Sequence, residues 1–262
     1  MSAPVVFRWG LWKATPEYVE MLSHSIGTFR HFFGPDAAYV VYADDPSGLV
    51  RDLLVDAEVR PLDPPGAQYL DPRATWLKWA PRFRHDPAAT EFRVDADIFL
   101  LDDPVELREF IAGDGTDVLV TQEEYVERWP YGNYGPRLAD GFVPINAGLV
   151  GQRAGCDLSE EIAEEYRWWS HFVEDHEVLY HDEQGAVAWV LQRYAARGRL
   201  RLLEHTRYRV VCPTNAVPVE RLDGLVAMHA TYPDHPAYHR FRSEISRVSG
   251  VLGGSAPADL GR

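Results

Sequence analysis

Two carboxylates interrupt an otherwise apolar run in Phe92-Arg93-Val94-Asp95-Ala96-Asp97-Ile98-Phe99-Leu100-Leu101. Its length and composition predict a buried strand over 92–101, and residues two apart in a strand project to one face. Asp95 and Asp97 can therefore address a single ligand. Acids in such a segment carry a large desolvation penalty unless something positive meets them, and a hard divalent cation bridging two phosphates is a natural partner. The competing reading is a strand that ends in solvent, where the acids merely close a turn.

Other residues have types that could join them. Ile145-Asn146-Ala147-Gly148-Leu149-Val150 reads as a strand kept thin by Ala147 and Gly148. Asp182-Glu183-Gln184 stands at a helix start, where acids are stabilised by the helix dipole whatever else they do. His229 closes a late strand, and Lys78 is one of only two lysines. Taken singly, each has an ordinary structural explanation: packing, a helix cap, a satisfied imidazole, a solvated ammonium.

The order of these segments resembles that of the GT-A glycosyltransferases, especially the glycogenin and galactosyltransferase-like group. Val94–Leu101 is similar to their Asp-X-Asp strand, 145–150 to their Asn-Ala-Gly strand, and 182–184 to their acid-bearing helix start. His229-Ala230-Thr231-Tyr232-Pro233-Asp234-His235-Pro236 is similar to their C-terminal His-Tyr-Thr-Gly-Pro-X-Lys-Pro pattern. The resemblance implies a Rossmann-like α/β domain with a mixed, largely parallel sheet. It also implies sugar transfer from a nucleotide diphosphate donor, of UDP-sugar type, to an acceptor hydroxyl with retention. Asp95, Asp97 and His229 would hold the metal, Mn²⁺ or else Mg²⁺, and the nitrogen ligand favours the former. Asp182 or Glu183 would stand near the anomeric carbon. Arg8, Trp9, Gly10, Lys78, Val94, Ala96, Asn146, Ala147, Gly148 and His235 would line the donor site, with Trp9 offered to a base. Two departures are Tyr232 in place of the usual glycine and His235 in place of the diphosphate-binding lysine.

Hydrophobic periodicity supplies the elements that must position these groups. Val5–Trp9 reads as a strand. Thr15-Pro16-Glu17 is a helix start followed by Tyr18, Leu22, Ile26, Phe29 and Phe33, with Gly34-Pro35 as its stop and Ala38–Ala43 as the next strand. This β-α-β opening predicts a parallel sheet. Further strands are expected at 53–62, 118–121, 142–151, 208–212 and 225–229, and helices at 74–83, 158–173 and 183–196. The stretch 122–141 reads as irregular and aromatic. Tyr125, Trp129, Tyr131 and Tyr134 within it, with Trp168-Trp169, are candidates for the acceptor side, since flat rings pack on sugar faces. One domain over 1–248 and a disordered Gly/Ser/Ala/Pro tail from Ser249 complete the expected organisation.

The 262 residues carry a formal charge of −14, which argues against a nucleic-acid or anionic-membrane partner. It suits a metal carrying a diphosphate or a cationic acceptor better, while the saccharide or small-molecule acceptor is what the resemblance implies. Two distant cysteines and no apolar run long enough to span a bilayer point to a cytoplasmic protein. Rival readings are a non-catalytic nucleotide-sugar-binding module, an Asp-X-Asp phosphohydrolase and a sugar nucleotidyltransferase. The phosphohydrolase usually wants Thr or Val where Phe99 stands, and the nucleotidyltransferase wants a glycine-rich, arginine-containing loop after the first strand, which is missing.

Overall fold

A computed structural model describes residues 4–12, 14–46, 48, 50–51, 54, 57–62, 75–79, 84–212, 219–231 and 234–251. The chain opens with β1 (Val5–Leu11), α1 (Pro16–Phe33) and β2 (Ala38–Ala43). Thr15 caps α1, its hydroxyl accepting from the Tyr18 backbone at 3.2 Å, with Pro16 in the first turn. β3 (Glu58–Pro61), β4 (Thr90–Val94) and β5 (Ile98–Leu100) follow, then α2 (Val105–Ala112), β6 (Val118–Gln122) and β7 (Ile145–Gln152). The remaining elements are α3 (Ser159–Phe172), α4 (Asp182–Ala196), β8 (Leu200–Leu203), β9 (Tyr208–Val211), β10 (Ala227–Ala230) and α5 (Pro236–Ser249).

The main sheet has the order β3-β2-β1-β4-β7-β6-β8. β1 lies parallel to β2 and β4, β2 to β3, and β6 to β8, while β7 runs antiparallel between β4 and β6. Central strands covered on both faces must be apolar on both, and β1 accordingly turns Phe7, Trp9 and Leu11 into one core and Val6 into another. A small sheet of order β5-β10-β9 stands beside it. α1 covers the core that includes Phe7 and Phe92, and α4 packs on the core around Ile145 and Val150.

The 92–101 segment is not one strand. β4 belongs to the main sheet and β5 to the small one, and Asp95-Ala96-Asp97 is the turn between them. The apolar pattern is continuous across the break because both strands are buried, so periodicity has nothing to mark it. The helix expected at 74–83 appears as a 3₁₀ segment, Thr75–Trp79, with residues 74 and 80–83 outside the described range. Likewise the 53–62 strand is described only as β3, and Tyr232 and residues 252–262 lie outside. The segment expected to begin a tail at Ser249 is instead the end of α5, closed by Gly250 in the left-handed region at φ 67°. α2, β8 and α5 are additions to the elements expected.

Candidate active site

The break between β4 and β5 creates the site. The Asp95 N–H donates to the Gly148 carbonyl of β7 at 2.8 Å, tying the turn to the main sheet. On the other side, β10 pairs antiparallel with β5 so that His229 lies opposite Ile98, and the Ala230 N–H donates to the Asp97 carbonyl at 2.9 Å. The register thus delivers His229 beside the acids. Its Nε2 stands 3.2 Å from Asp97 Oδ1 and 3.8 Å from Asp95 Oδ2. One ligand atom from each of Asp95, Asp97 and His229 falls within 4.8 Å of the others. The set of two carboxylates and one imidazole fits a divalent cation.

The histidine is also held from behind. His229 Nδ1 lies 3.1 Å from Asn146 Oδ1, while the Asn146 amide nitrogen donates to Glu123 Oε2 at 3.1 Å. An amide oxygen can only accept, so Nδ1 carries the hydrogen and Nε2 faces the acids. Gly148 makes room for the ring: a Cβ there would sit 2.5 Å from His229 Cε1 and 2.8 Å from Nδ1. Asn146 and Gly148 therefore act through His229, a role their reading as donor-pocket residues did not include.

The charges are unevenly shared. Burial opposes ionisation of Asp97, but His229 and His235 outweigh it and hold this carboxyl well below the usual range. Burial depresses His229 too, yet Asp97 outweighs it and raises the imidazole. Lys78 Nζ lies 3.2 Å from Asp95 Oδ2 and 3.0 Å from Glu183 Oε2. Against burial, these two acids drive the lysine up. One ammonium shared by two buried carboxylates neutralises neither, and burial raises both Asp95 and Glu183.

The two acids at the start of α4 part company. Glu183 faces a cavity of about 420 Å³ that also exposes Lys78, Asp95, Asp97 and His229. Its carboxylate accepts from Trp79 Nε1 at 2.5 Å and from the Thr75 hydroxyl at 3.0 Å. Asp182 is fully buried away from that cavity. Its oxygens accept from the Asn133 backbone (2.7 Å), the Asn133 amide (3.0 Å), Trp169 Nε1 (2.8 Å) and the Leu179 backbone (2.9 Å). With its lone pairs used in this way, Asp182 is a structural anchor for α4, and its reading as a catalytic acid is corrected.

Other expected donor residues also turn inward. Trp9 is fully buried, with Nε1 donating to the Ser25 hydroxyl at 3.1 Å, so it has no face to offer a base. Arg8 is buried against Glu91 at 3.2 Å and packs over Tyr42. Val94 and Ala147 are core residues, and Ala96 packs against the core. Gly10 backs onto the Lys78 backbone, where a Cβ would meet Lys78 Cα at 3.4 Å. His235, in place of the expected lysine, points Nδ1 at the Ala230 carbonyl (2.7 Å) and at Asp97 Oδ2 (3.3 Å). Tyr131, Tyr134 and Trp169 are buried, and Trp168 stacks on Phe172 rather than facing the cavity. Tyr125 and Trp129 do line it.

Glu123, Tyr180, His181 and Thr75 line the cavity without having stood out in the sequence. Glu123 could have been found: it directly follows the apolar strand β6, and the carboxyl ends of strands carry the ligands in open α/β sheets. Tyr180 and His181 precede α4 with no distinguishing pattern.

No protein-family model matches the chain, and no curated protein matches its sequence. Solved structures do. A galactosyltransferase, LgtC, solved with donor and acceptor sugar analogues, superposes with a TM-score of 0.60 at 16% identity, over 97% of this chain and 98% of that one. Mouse xyloside xylosyltransferase 1 gives 0.53 at 13% identity, over 90% and 99%. The bifunctional glycosyltransferase WbbM gives 0.54 at 12% identity, over 96% of this chain and 50% of that one. The fold is that of the GT-A glycosyltransferases.

Proposed function

We propose that this chain is a metal-dependent glycosyltransferase that moves a sugar from a nucleotide diphosphate, of UDP type, to an acceptor hydroxyl with retention. The observation that carries this reading is the cluster of Asp95, Asp97 and His229 on the wall of a cavity that Lys78 and Glu183 also line. A Mn²⁺ or Mg²⁺ ion held there would neutralise charge growing on the departing diphosphate. Lys78 has the fixed charge to contact that diphosphate once a cation takes its place beside Asp95. Glu183 lies close enough to Lys78 to face the donor sugar, whereas Asp182 does not enter the chemistry. In the transfer, the anomeric carbon's bond to the diphosphate oxygen breaks and a bond to the acceptor oxygen forms. The acceptor's hydroxyl proton leaves with the diphosphate. The domain over 1–248 works as one unit in this reading, and two cysteines far apart in the sequence, Cys156 and Cys212, suit a cytoplasmic setting.

Calorimetry and UDP release test it together. UDP should bind in the presence of Mn²⁺, and Asp97→Ala should weaken that binding at least about tenfold. A panel of UDP-sugars should give slow UDP release with Mn²⁺ present. Unchanged binding in Asp97→Ala would remove the metal assignment; intact binding with no release from any donor would leave only a binding module.

A further inference from the structure

His235 immediately precedes α5, yet its imidazole does not cap that helix. Its backbone is left-handed at φ 43° and ψ 52°, directly after Asp234 at φ 55°. Two successive residues with side chains in that region cost free energy, and such a turn persists only where its surroundings over-determine it. What the turn achieves is the direction of one ring. The imidazole points back from α5 to the end of β10 and to the turn that carries the two acids. Tyr18 of α1 meets it edge-on at 5.8 Å, and the side chain is left only 12% exposed.

Two oxygens face its Nδ1: the Ala230 carbonyl at 2.7 Å and Asp97 Oδ2 at 3.3 Å. A carbonyl oxygen only accepts, so Nδ1 carries the hydrogen, and this N–H forks between carbonyl and carboxylate. Ala230 is tied to the same aspartate, its own N–H donating to the Asp97 carbonyl at 2.9 Å. Ala230 and His235 thus hold both the backbone and the side chain of Asp97. They do so on the side that His229 leaves open, since His229 Nε2 lies 3.2 Å from the other oxygen, Oδ1. Each oxygen of this carboxylate therefore faces a different imidazole. Oδ1 is placed to share a cation with His229, and Oδ2 is the oxygen gripped from outside. Ligating carboxylates are themselves hydrogen-bonded by neighbours that fix their orientation. A lysine here would carry a flexible charge outward; a short ring turned inward on Asp97 does something else.

We infer that His235 is a positioning residue for the metal: its Nδ1–H holds the Asp97 carboxylate in the orientation that shares a divalent cation with His229, and it does not contact the diphosphate. The inference rests on the metal reading above, and the two can fail separately.

Calorimetry on the full chain tests it, with Mn²⁺ titrated alone and again at fixed UDP, and UDP titrated at saturating Mn²⁺. His235→Phe and His235→Ala both remove the N–H, and the first keeps a ring against Tyr18. Each should weaken Mn²⁺ binding about 10–100-fold, while UDP affinity at saturating Mn²⁺ moves less than about threefold. His235→Asn returns an N–H close to the place of Nδ1–H, and asparagine, like histidine, tolerates the left-handed region. It should bring Mn²⁺ affinity back to within about threefold of the parent. Should one loss variant not fold, as read by thermal melting, the other carries the same reading. Parent-like Mn²⁺ affinity in the loss variants overturns the inference, as does an Asn variant that falls with them. Unchanged Mn²⁺ affinity with a fall in UDP affinity would make His235 a diphosphate contact and overturn it too. These outcomes leave the metal reading standing, whereas a parent that binds Mn²⁺ in neither condition removes both.

Discussion

Gly148 shows how much of the site depends on an atom that is missing. The His229 ring occupies the space a Cβ would take, and the same backbone position accepts the Asp95 N–H. Gly148→Ala should therefore displace the imidazole, which Asn146 holds in one tautomer on its far side. Ile98 Cδ1, 3.0 Å from that Cβ position, limits how far the new methyl can retreat. Mn²⁺ affinity should drop by about 10–100-fold, the range found when the groups orienting a metal-bound histidine are disturbed. Calorimetric titration with Mn²⁺ measures this. A variant that binds Mn²⁺ like its parent would mean that His229 is free to move without consequence. Asp95, Asp97 and His229 were reachable from the sequence only through the order of segments shared with the family the chain resembles, since each alone has an ordinary structural explanation. The role of Gly148 was not reachable, because it depends on β7 and β10 meeting in space.

The elements divide along the same line. The β1-α1-β2 opening was legible apart from the last two residues of β1, Gly10 and Leu11, since Thr15, Pro16 and Gly34 mark α1 by local chemistry. The split of 92–101 was hidden, because a break between two buried strands leaves the apolar pattern unchanged. α2 was hidden for the opposite reason: only Leu107 and Phe110 of its eight residues are buried, too few to set a period. α5 begins after His235 in the left-handed region at φ 43° with no side-chain cap, so Pro236 in its first turn is its one local start signal. α4 carries the sharpest correction, for Asp182 pins its first turn to Asn133, Trp169 and Leu179 instead of facing the cavity. Gly132 and Gly185 reflect that closeness, since a Cβ at either would collide with Asp182 Oδ1 or the Tyr131 carbonyl. Asp182→Ala leaves several buried donors without acceptors, each worth about 1–3 kcal/mol, so a loss of roughly 3 kcal/mol or more is expected. At about 2–4 °C per kcal/mol this is a large fall in Tm, readable by calorimetric melting. Unaltered melting would show that water replaces the carboxylate at no loss.

Across the whole molecule, the small sheet and α5 are clamped to the main body by α1, and His24 is buried at that seam. Its Nδ1 lies 2.9 Å from the Tyr238 hydroxyl and its Nε2 3.2 Å from the Ser246 hydroxyl, both on α5. Burial lowers its pKa below the ordinary 6.5, with Glu20 opposing and Arg242 assisting. The fold therefore prefers neutral His24, while the unfolded chain takes up a proton near 6.5. Where the unfolded state binds more protons, stability rises with pH. The His24 contribution is thus complete above 6.5 and is lost as pH falls through that value toward the depressed folded pKa. His229 and His235, whose pKa values are raised, pull the other way, so the comparison must be between variants and not within one curve. His24→Gln keeps a donor and an acceptor for the two hydroxyls but has no proton to gain. Between about pH 7.5 and pH 5.5 its Tm should decline less steeply than that of the parent. Parallel curves over that window would mean the seam between α1 and α5 admits a charged imidazole without penalty.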